Sequence, residues 1–394
     1  MPFAKRVLFV CLLSIFALPM AQSASVEAPA GFDDLTNGLV IQAQFDQDRA
    51  VFADREGLSD GLGPVYNAQS CAECHQNPVT GAISQITEVR AGHFDPRTGF
   101  HEHPGGSLIH DRAISANMQE RILPGYEVRS QRSSLNVLGD GYVESIADET
   151  IAAIARAQPA SMRGQIVQVP VLEAGNVKRA GRFGWKNQHA SLVSFSADAY
   201  LNEMGITSPL MPVDNTANGV VANDGIADPE DDGDDIEVFA QFMRATKAPP
   251  RDLVRAATPA AQAGASTFAA IGCAVCHVRS ITTAPVGTPI NGGAFVVPEA
   301  LGAKVIHPFS DFMLHDVGTG DGIVQNGPPS TRNKLRTAPL WGLRTRNRLM
   351  HDGLSFTVNE AILRHAREAD TVTSRYRSLP VPRQTELLAF LASL

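Results

Sequence analysis

Two five-residue groups carry the densest chemistry in this sequence: Cys71-Ala72-Glu73-Cys74-His75 and Cys273-Ala274-Val275-Cys276-His277. Each sets two thiols three positions apart, with an imidazole directly after the second. Sulfurs at that spacing reach both vinyl groups on one edge of a haem as thioethers, and the adjoining histidine then lies under the iron as proximal ligand. A zinc site would need its two C-x-x-C pairs within ordinary ligand spacing, and these are about 200 residues apart. A thioredoxin-like pair would need one C-x-x-C inside a βαβ pattern and no histidine after it. Four of the five cysteines belong to the two groups. The fifth, Cys11, lies in a leader, so none remains for a structural disulfide or a thiol active site. The expectation is two covalently bound haem c groups (iron porphyrins), held by Cys71, Cys74 and His75 and by Cys273, Cys276 and His277.

The leader supports that chemistry, because c-type haem is attached outside the bacterial cytoplasm. Lys5-Arg6 precedes an apolar run from Val7 to Leu18, followed by Pro19 and the small-residue stretch Ala21-Gln22-Ser23-Ala24. This is the pattern of a cleaved secretory signal peptide over residues 1–23. The run is shorter than the roughly 20 residues of a spanning helix. No later segment is apolar and long enough to span a bilayer. A periplasmic protein with no membrane span in the mature chain is expected. Removing Lys5 and Arg6 leaves 31 basic against 41 acidic side chains, and no basic stripe of the kind nucleic acid requires.

The elements that must hold the two groups are mostly helical in pattern. About 370 mature residues imply two domains, at roughly 100–200 residues each. Residues 258–272 read as a short helix ending at Gly272, just before the second C-x-x-C-H. Arg383 to Leu391 is amphipathic at helical spacing. A helix before the motif and one at the end are how a small cytochrome c domain wraps its haem. Asp235 to Arg244 offers a parallel ending to the first half, with Ile236, Phe239, Ala240 and Met243 on one face. Lys247-Ala248-Pro249-Pro250 then reads as a linker. The expected organisation is an N-terminal haem domain over 30–247, enlarged by an insertion, and a C-terminal cytochrome c-like haem domain over 250–394. No strand is strongly signalled, so the expected class is mainly α. The acidic run Asp228 to Asp235 reads as a helix start and not a calcium loop, since it lacks a glutamate at the twelfth position.

What fills each iron's sixth position separates electron transfer from catalysis. Thr357-Val358-Asn359-Glu360 is a capping box that starts a helix. On that helix Val358, Ala361, Ile362 and His365 share a face. His365 is therefore a candidate ligand for the second haem, with Met350 and Met313 as rivals. For the first haem His93, His101, His103 and His110 all follow His75 closely, and spacing does not choose among them. His189, His307 and His315 read as structural residues or propionate partners.

Several further stretches together resemble one family. They are Gly181-Arg182-Phe183-Gly184-Trp185-Lys186, Glu203-Met204-Gly205-Ile206-Thr207-Ser208-Pro209, Leu314-His315-Asp316, Thr337-Ala338-Pro339-Leu340-Trp341-Gly342-Leu343, Met350-His351-Asp352-Gly353 and Glu360-Ala361-Ile362-Leu363-Arg364-His365. They are similar to signature stretches of the di-haem oxidoreductase family of peroxidase-like proteins, some of which carry the label thiol oxidoreductase. That family is itself distantly similar to bacterial di-haem cytochrome c peroxidases. The resemblance implies that electrons pass from a C-terminal haem to a peroxidatic N-terminal haem. It also implies a ligand fourteen residues beyond the histidine of H-D-G, which from His351 is His365. The peroxidases have methionine there, and a histidine would lower the potential. The same resemblance implies Trp185 as a bridge between haems and Glu203, in an E-M pair, as a distal acid/base. They stand eighteen positions apart here, slightly closer than in the peroxidases. The bland alternatives are a packing tryptophan and a surface glutamate. Arg346 and Arg348 fall where the relatives' calcium ligands would be expected, and arginine cannot bind a cation.

Two functions are then in play. One is a peroxidase-type enzyme with a small-molecule oxidant, such as hydrogen peroxide, and an extracytoplasmic electron donor. The other is a two-haem relay without chemistry, favoured if histidines close both irons. Thiol chemistry through protein sulfur is disfavoured, because both motifs consume every mature cysteine.

Overall fold

The computed structural model describes residues 25–221, 224–325 and 327–394. The leader assigned to residues 1–23 lies outside them.

Each C-x-x-C-H group is backed by a crossed pair of helices. In the first half Gln42–Ala53 packs against Asp234–Ala245. Phe52 meets Phe242 at 4.7 Å and Phe239 at 6.1 Å between ring centroids, within the range where aromatic rings attract. The acidic run before Asp234–Ala245 satisfies that helix's exposed start: Asp231 Oδ1 accepts from the backbone N–H of Gly233 at 3.0 Å and of Asp235 at 3.2 Å,. In the second half Pro259–Ile271 crosses Val381–Leu391. It starts on Thr258, whose hydroxyl accepts from the N–H of Ala261, has Pro259 in its first turn, and stops at Gly272 with φ 106°,. The crossing is close. A Cβ on Gly264 would stand 2.0 Å from the Glu386 carbonyl oxygen, so only glycine fits.

The two pairs present the same device to their histidines. Phe52 lies 6.3 Å from the His75 ring at 59°, and Phe268 lies 6.3 Å from the His277 ring at 54°. Phe268 is in turn edge-on to Phe390 at 5.3 Å.

The expected class, mainly α, is corrected by the structure: the chain is 33% helix and 17% strand, in several small sheets. The largest is antiparallel. Thr87–Asp95 pairs with Val128–Ser133 along one edge and with Gly99–Glu102 and Leu108–Ile109 along the other. Its strands escape a hydrophobicity pattern for a physical reason. Alternation along Thr87–Asp95 puts Glu88 and Arg90 on one face, opposite Arg132 and Ser130 of the partner strand,. Charge fills a place where a half-buried strand would show apolar residues. Most other strands are two to four residues long, below the run that carries a strand signal.

One core joins both halves: Phe45, Phe239, Ile281, Leu301, Phe312 and Trp341 belong to the same buried cluster. A smaller cluster of Phe268, Leu343, Leu387 and Phe390 lies behind the second C-x-x-C-H. Val26–Glu27 pairs in parallel with Lys304–Ile306, a further tie between the halves. Among the described residues no helix is long and apolar enough to cross a membrane.

Candidate functional site

The four described cysteines form no disulfide, and their surroundings do not suit thiol chemistry. Burial first, then the neighbouring thiol, pushes Cys71 up to about 12. Burial also takes Cys273 up to about 12. A reactive thiolate needs the opposite, a lowered pKa. Cys71 to Cys74 forms one helical turn whose start is capped by Ser70, its hydroxyl accepting from the N–H of Glu73, so the two sulfurs are held on a fixed frame.

The three candidate ligand histidines share one hydrogen-bond pattern. His277 Nδ1 lies 2.9 Å from the Phe309 carbonyl oxygen, His365 Nδ1 2.7 Å from that of Ala361, and His75 Nδ1 3.2 Å from that of Ala82. A carbonyl can only accept, so each Nδ1 carries the proton and each Nε2 keeps its lone pair. This is the outer-shell bond that orients ligating imidazoles. His277 and His365 both line one internal cavity, together with Cys273, Cys276 and Met350. Burial pushes His277 down to about 4, with the Phe309 carbonyl opposing and His365 adding to the drop. His365 stands just past the end of Val358–Leu363, on the capping box in which Thr357 Oγ1 accepts from the N–H of Glu360 at 3.1 Å and Glu360 accepts from the N–H of Thr357 at 3.1 Å. Met313 is packed into the large core and does not line this cavity.

The same cavity has a cationic wall. Arg336, Arg346 and Arg348 line it. Burial, then Arg336, pushes Arg346 down to about 10, and no carboxylate among the described residues pairs with it. Arg336 Nε is buried without a hydrogen-bond partner. A group carrying two carboxylates, as haem does in its propionates, fits this wall. Thiols, imidazoles and cations together accept a haem here.

Trp185 stands in the wall of that cavity. Its Nε1 donates to the Ser133 carbonyl oxygen at 2.8 Å, and its ring lies edge-on to His351 at 6.0 Å. Ser133, Ser134 and Leu135 line the cavity too, and the Leu135 backbone lies near the His75 ring. The segment 133–135 thus lies between the two C-x-x-C-H groups.

Glu203 is half-buried in a π-helical turn, Tyr200–Met204, that extends Leu192–Ala199. Such turns recur at functional sites. Gly205 closes it with φ 80°, and a Cβ there would meet the Gly63 carbonyl oxygen at 2.3 Å. Glu203 is the foremost charged neighbour of Cys74. Burial, then Glu88, pushes its carboxyl up to about 8. Asn67 Nδ2 donates to its Oε2 at 2.9 Å.

The four histidines after His75 are engaged elsewhere. His93 pairs with Glu127 at 2.8 Å and His101 with Thr98 at 2.6 Å, both on the surface. His103 uses both ring nitrogens, toward the Pro104 carbonyl and the N–H of Leu123. His110 does the same, toward Glu120 at 2.7 Å and the Asn202 carbonyl at 2.8 Å. His189 pairs with Asp198 at 3.1 Å and the exposed His307 with Glu27 at 2.9 Å. His315 sits between Asp311 at 2.8 Å and Glu368 at 2.7 Å, beside Cys276. Glu88 and Arg90, which act on Glu203, and Arg132, which faces Glu88, were not singled out by the sequence. Their only signal is a charged residue at every second position of a strand.

Residues 107–394 match the family described as "Di-haem oxidoreductase, putative peroxidase". No curated protein matches the chain. Among solved structures it is similar to Kuenenia stuttgartiensis hydrazine synthase under xenon pressure, at 14% identity over 100% of both chains, TM-score 0.41. It is also similar to a MauG-like protein associated with microbial copper homeostasis, at 14% identity over 95% of this chain and 94% of that one, TM-score 0.44. At those scores neither bears on site or mechanism.

Proposed function

The chain belongs to the di-haem oxidoreductase family, and from that premise we propose that it is an exported, periplasmic peroxidase-type enzyme with two covalently bound c-type haems. Its reaction takes hydrogen peroxide, two electrons from an extracytoplasmic donor and two protons to two waters. Cys71, Cys74 and His75 would hold one haem, and Cys273, Cys276 and His277 the other, where His365 would supply a further ligand. The domains follow the division at the 247–250 linker. When bound, the haems supply one iron that accepts electrons singly and one at which peroxide is reduced.

The protein's own part is proton handling and positioning. Glu203 takes the proton from the near oxygen of peroxide and returns it to the far oxygen, which leaves as water. His277 and His365 line one cavity, so together they would close an iron held there to substrate and restrict that site to electron transfer. Trp185, in the wall between the sites, bridges them. The observation that carries the reading is the half-buried Glu203 carboxyl beside Cys74, held by Asn67 at 2.9 Å, which burial and Glu88 push upward. A plain relay would need a sixth ligand near His75; of the four nearby histidines, His103 and His110 have both ring nitrogens engaged, and His93 and His101 lie on the surface.

The test is hydrogen peroxide turnover by the purified holoprotein with a reduced donor. Turnover is expected, and Glu203→Gln should lower it by about 10²–10⁴-fold. No turnover by the native protein, or an unimpaired variant, contradicts the reading.

A further inference from the structure

Glu203 does not act alone. Glu88 shares a strand face with Arg90 and faces Arg132 across the sheet. Arg90 grips it in a fork, Nε to Oε1 at 2.8 Å and Nη2 to Oε2 at 2.9 Å, the geometry of a strong charge-assisted pair. Arg132 Nη1 adds a contact at 3.7 Å. The Glu88 and Glu203 carboxyls also hydrogen-bond to each other. A bond between two carboxyls requires one proton, and two like charges at that distance do not both ionise. Both guanidiniums lie on the Glu88 side, so the proton belongs to Glu203.

We propose that Glu88 is a positioning residue for the peroxide chemistry: pinned as a carboxylate by Arg90 and Arg132, it keeps the shared proton on Glu203 and so sets the pH above which Glu203 is free to take the proton of peroxide. This rests on the reading of Glu203 as the distal acid/base. The charged groups facing the pair are few. Arg90 and Arg132 come from the sheet, Asp198 from the helix that leads into the Glu203 turn, and Glu73 and Arg112 stand beside Cys74. Arg132 is itself fixed from the other half of the molecule. Its guanidinium pairs with Asp321 at 2.7 Å, and Asp321 holds Lys186 Nζ at 2.7 Å. The ionic chain therefore runs from the carboxyl pair to the residue after Trp185.

The experiment is the pH profile of kcat/KM for hydrogen peroxide in the holoprotein and its variants. Glu88→Gln keeps the shape and removes the charge. The ascending limb assigned to Glu203 should move down by about 1–3 pH units, so that turnover at pH 7, as a fraction of its own plateau, rises several-fold. A limb that stays in place overturns the proposal. Should that variant not fold, Arg90→Gln tests the same pinning: Glu88 then competes for the shared proton, the limb loses its native position and shape, and a limb identical to the native one is again fatal. Glu203→Gln separates the two claims. If it keeps native turnover and the native limb, the peroxidase reading falls; if it loses both while Glu88→Gln leaves the limb unmoved, only the role of Glu88 falls.

Discussion

Glu203 sets function against stability within a single side chain. Its ordinary carboxyl pKa is near 4.5 and its folded value about 8, so folding favours the neutral form. Stability from this residue is complete below about pH 4.5 and is lost as pH rises through about 8, where a buried charge must form. Base catalysis needs that same charge. Turnover should climb along a limb near pH 8 as thermal stability declines. Glu203→Gln should therefore match the native protein in melting temperature at low pH and exceed it above pH 8, while turning over little peroxide. Melting curves across that range check this; a gap that does not widen with pH contradicts it. His365 makes a second prediction at this scale. His365→Met should raise the potential of the C-terminal haem without moving the other, as read by a spectroelectrochemical titration. An unchanged C-terminal potential removes His365 from the iron.

At the scale of elements, the haem sites depend on helix crossings and on one capped turn. Gly264 allows Pro259–Ile271 to touch Val381–Leu391. Gly264→Ala must push the helices apart, at about 1–3 kcal/mol, with visible loss of melting temperature and of haem retained at Cys273 and Cys276. Thr357→Ala removes half of the capping box that starts the helix before His365, at about 1 kcal/mol. Denaturant titration measures both. These elements are legible from residues alone, because Thr258-Pro259, Gly272 and the Thr357/Glu360 pair are local signals that need no tertiary knowledge. The strands are not. Thr87–Asp95 carries Glu88 and Arg90 on a face where apolar residues would betray a strand, and its partner carries Arg132 there. Their charges make sense only once Glu203 is brought beside them from a distant turn. The same holds for Arg346, whose want of a carboxylate appears only inside the folded cavity. The C-x-x-C-H groups are the opposite case: their ligands are contiguous, so the chemistry is written in five residues.

The whole molecule is two haem-holding halves built on a common core. Phe52 over His75 and Phe268 over His277 repeat one arrangement, but the surroundings differ where it matters. Around His277 a second imidazole, His365, faces the same cavity; around His75 the group beside Cys74 is a carboxyl pair. Under the proposed function, that asymmetry would leave one iron closed and one open, and so divide electron entry from peroxide reduction. Electron paramagnetic resonance of the oxidised holoprotein tests it most directly. The account predicts one low-spin haem, from His277 and His365, and one high-spin haem at His75. Two low-spin signals would contradict it.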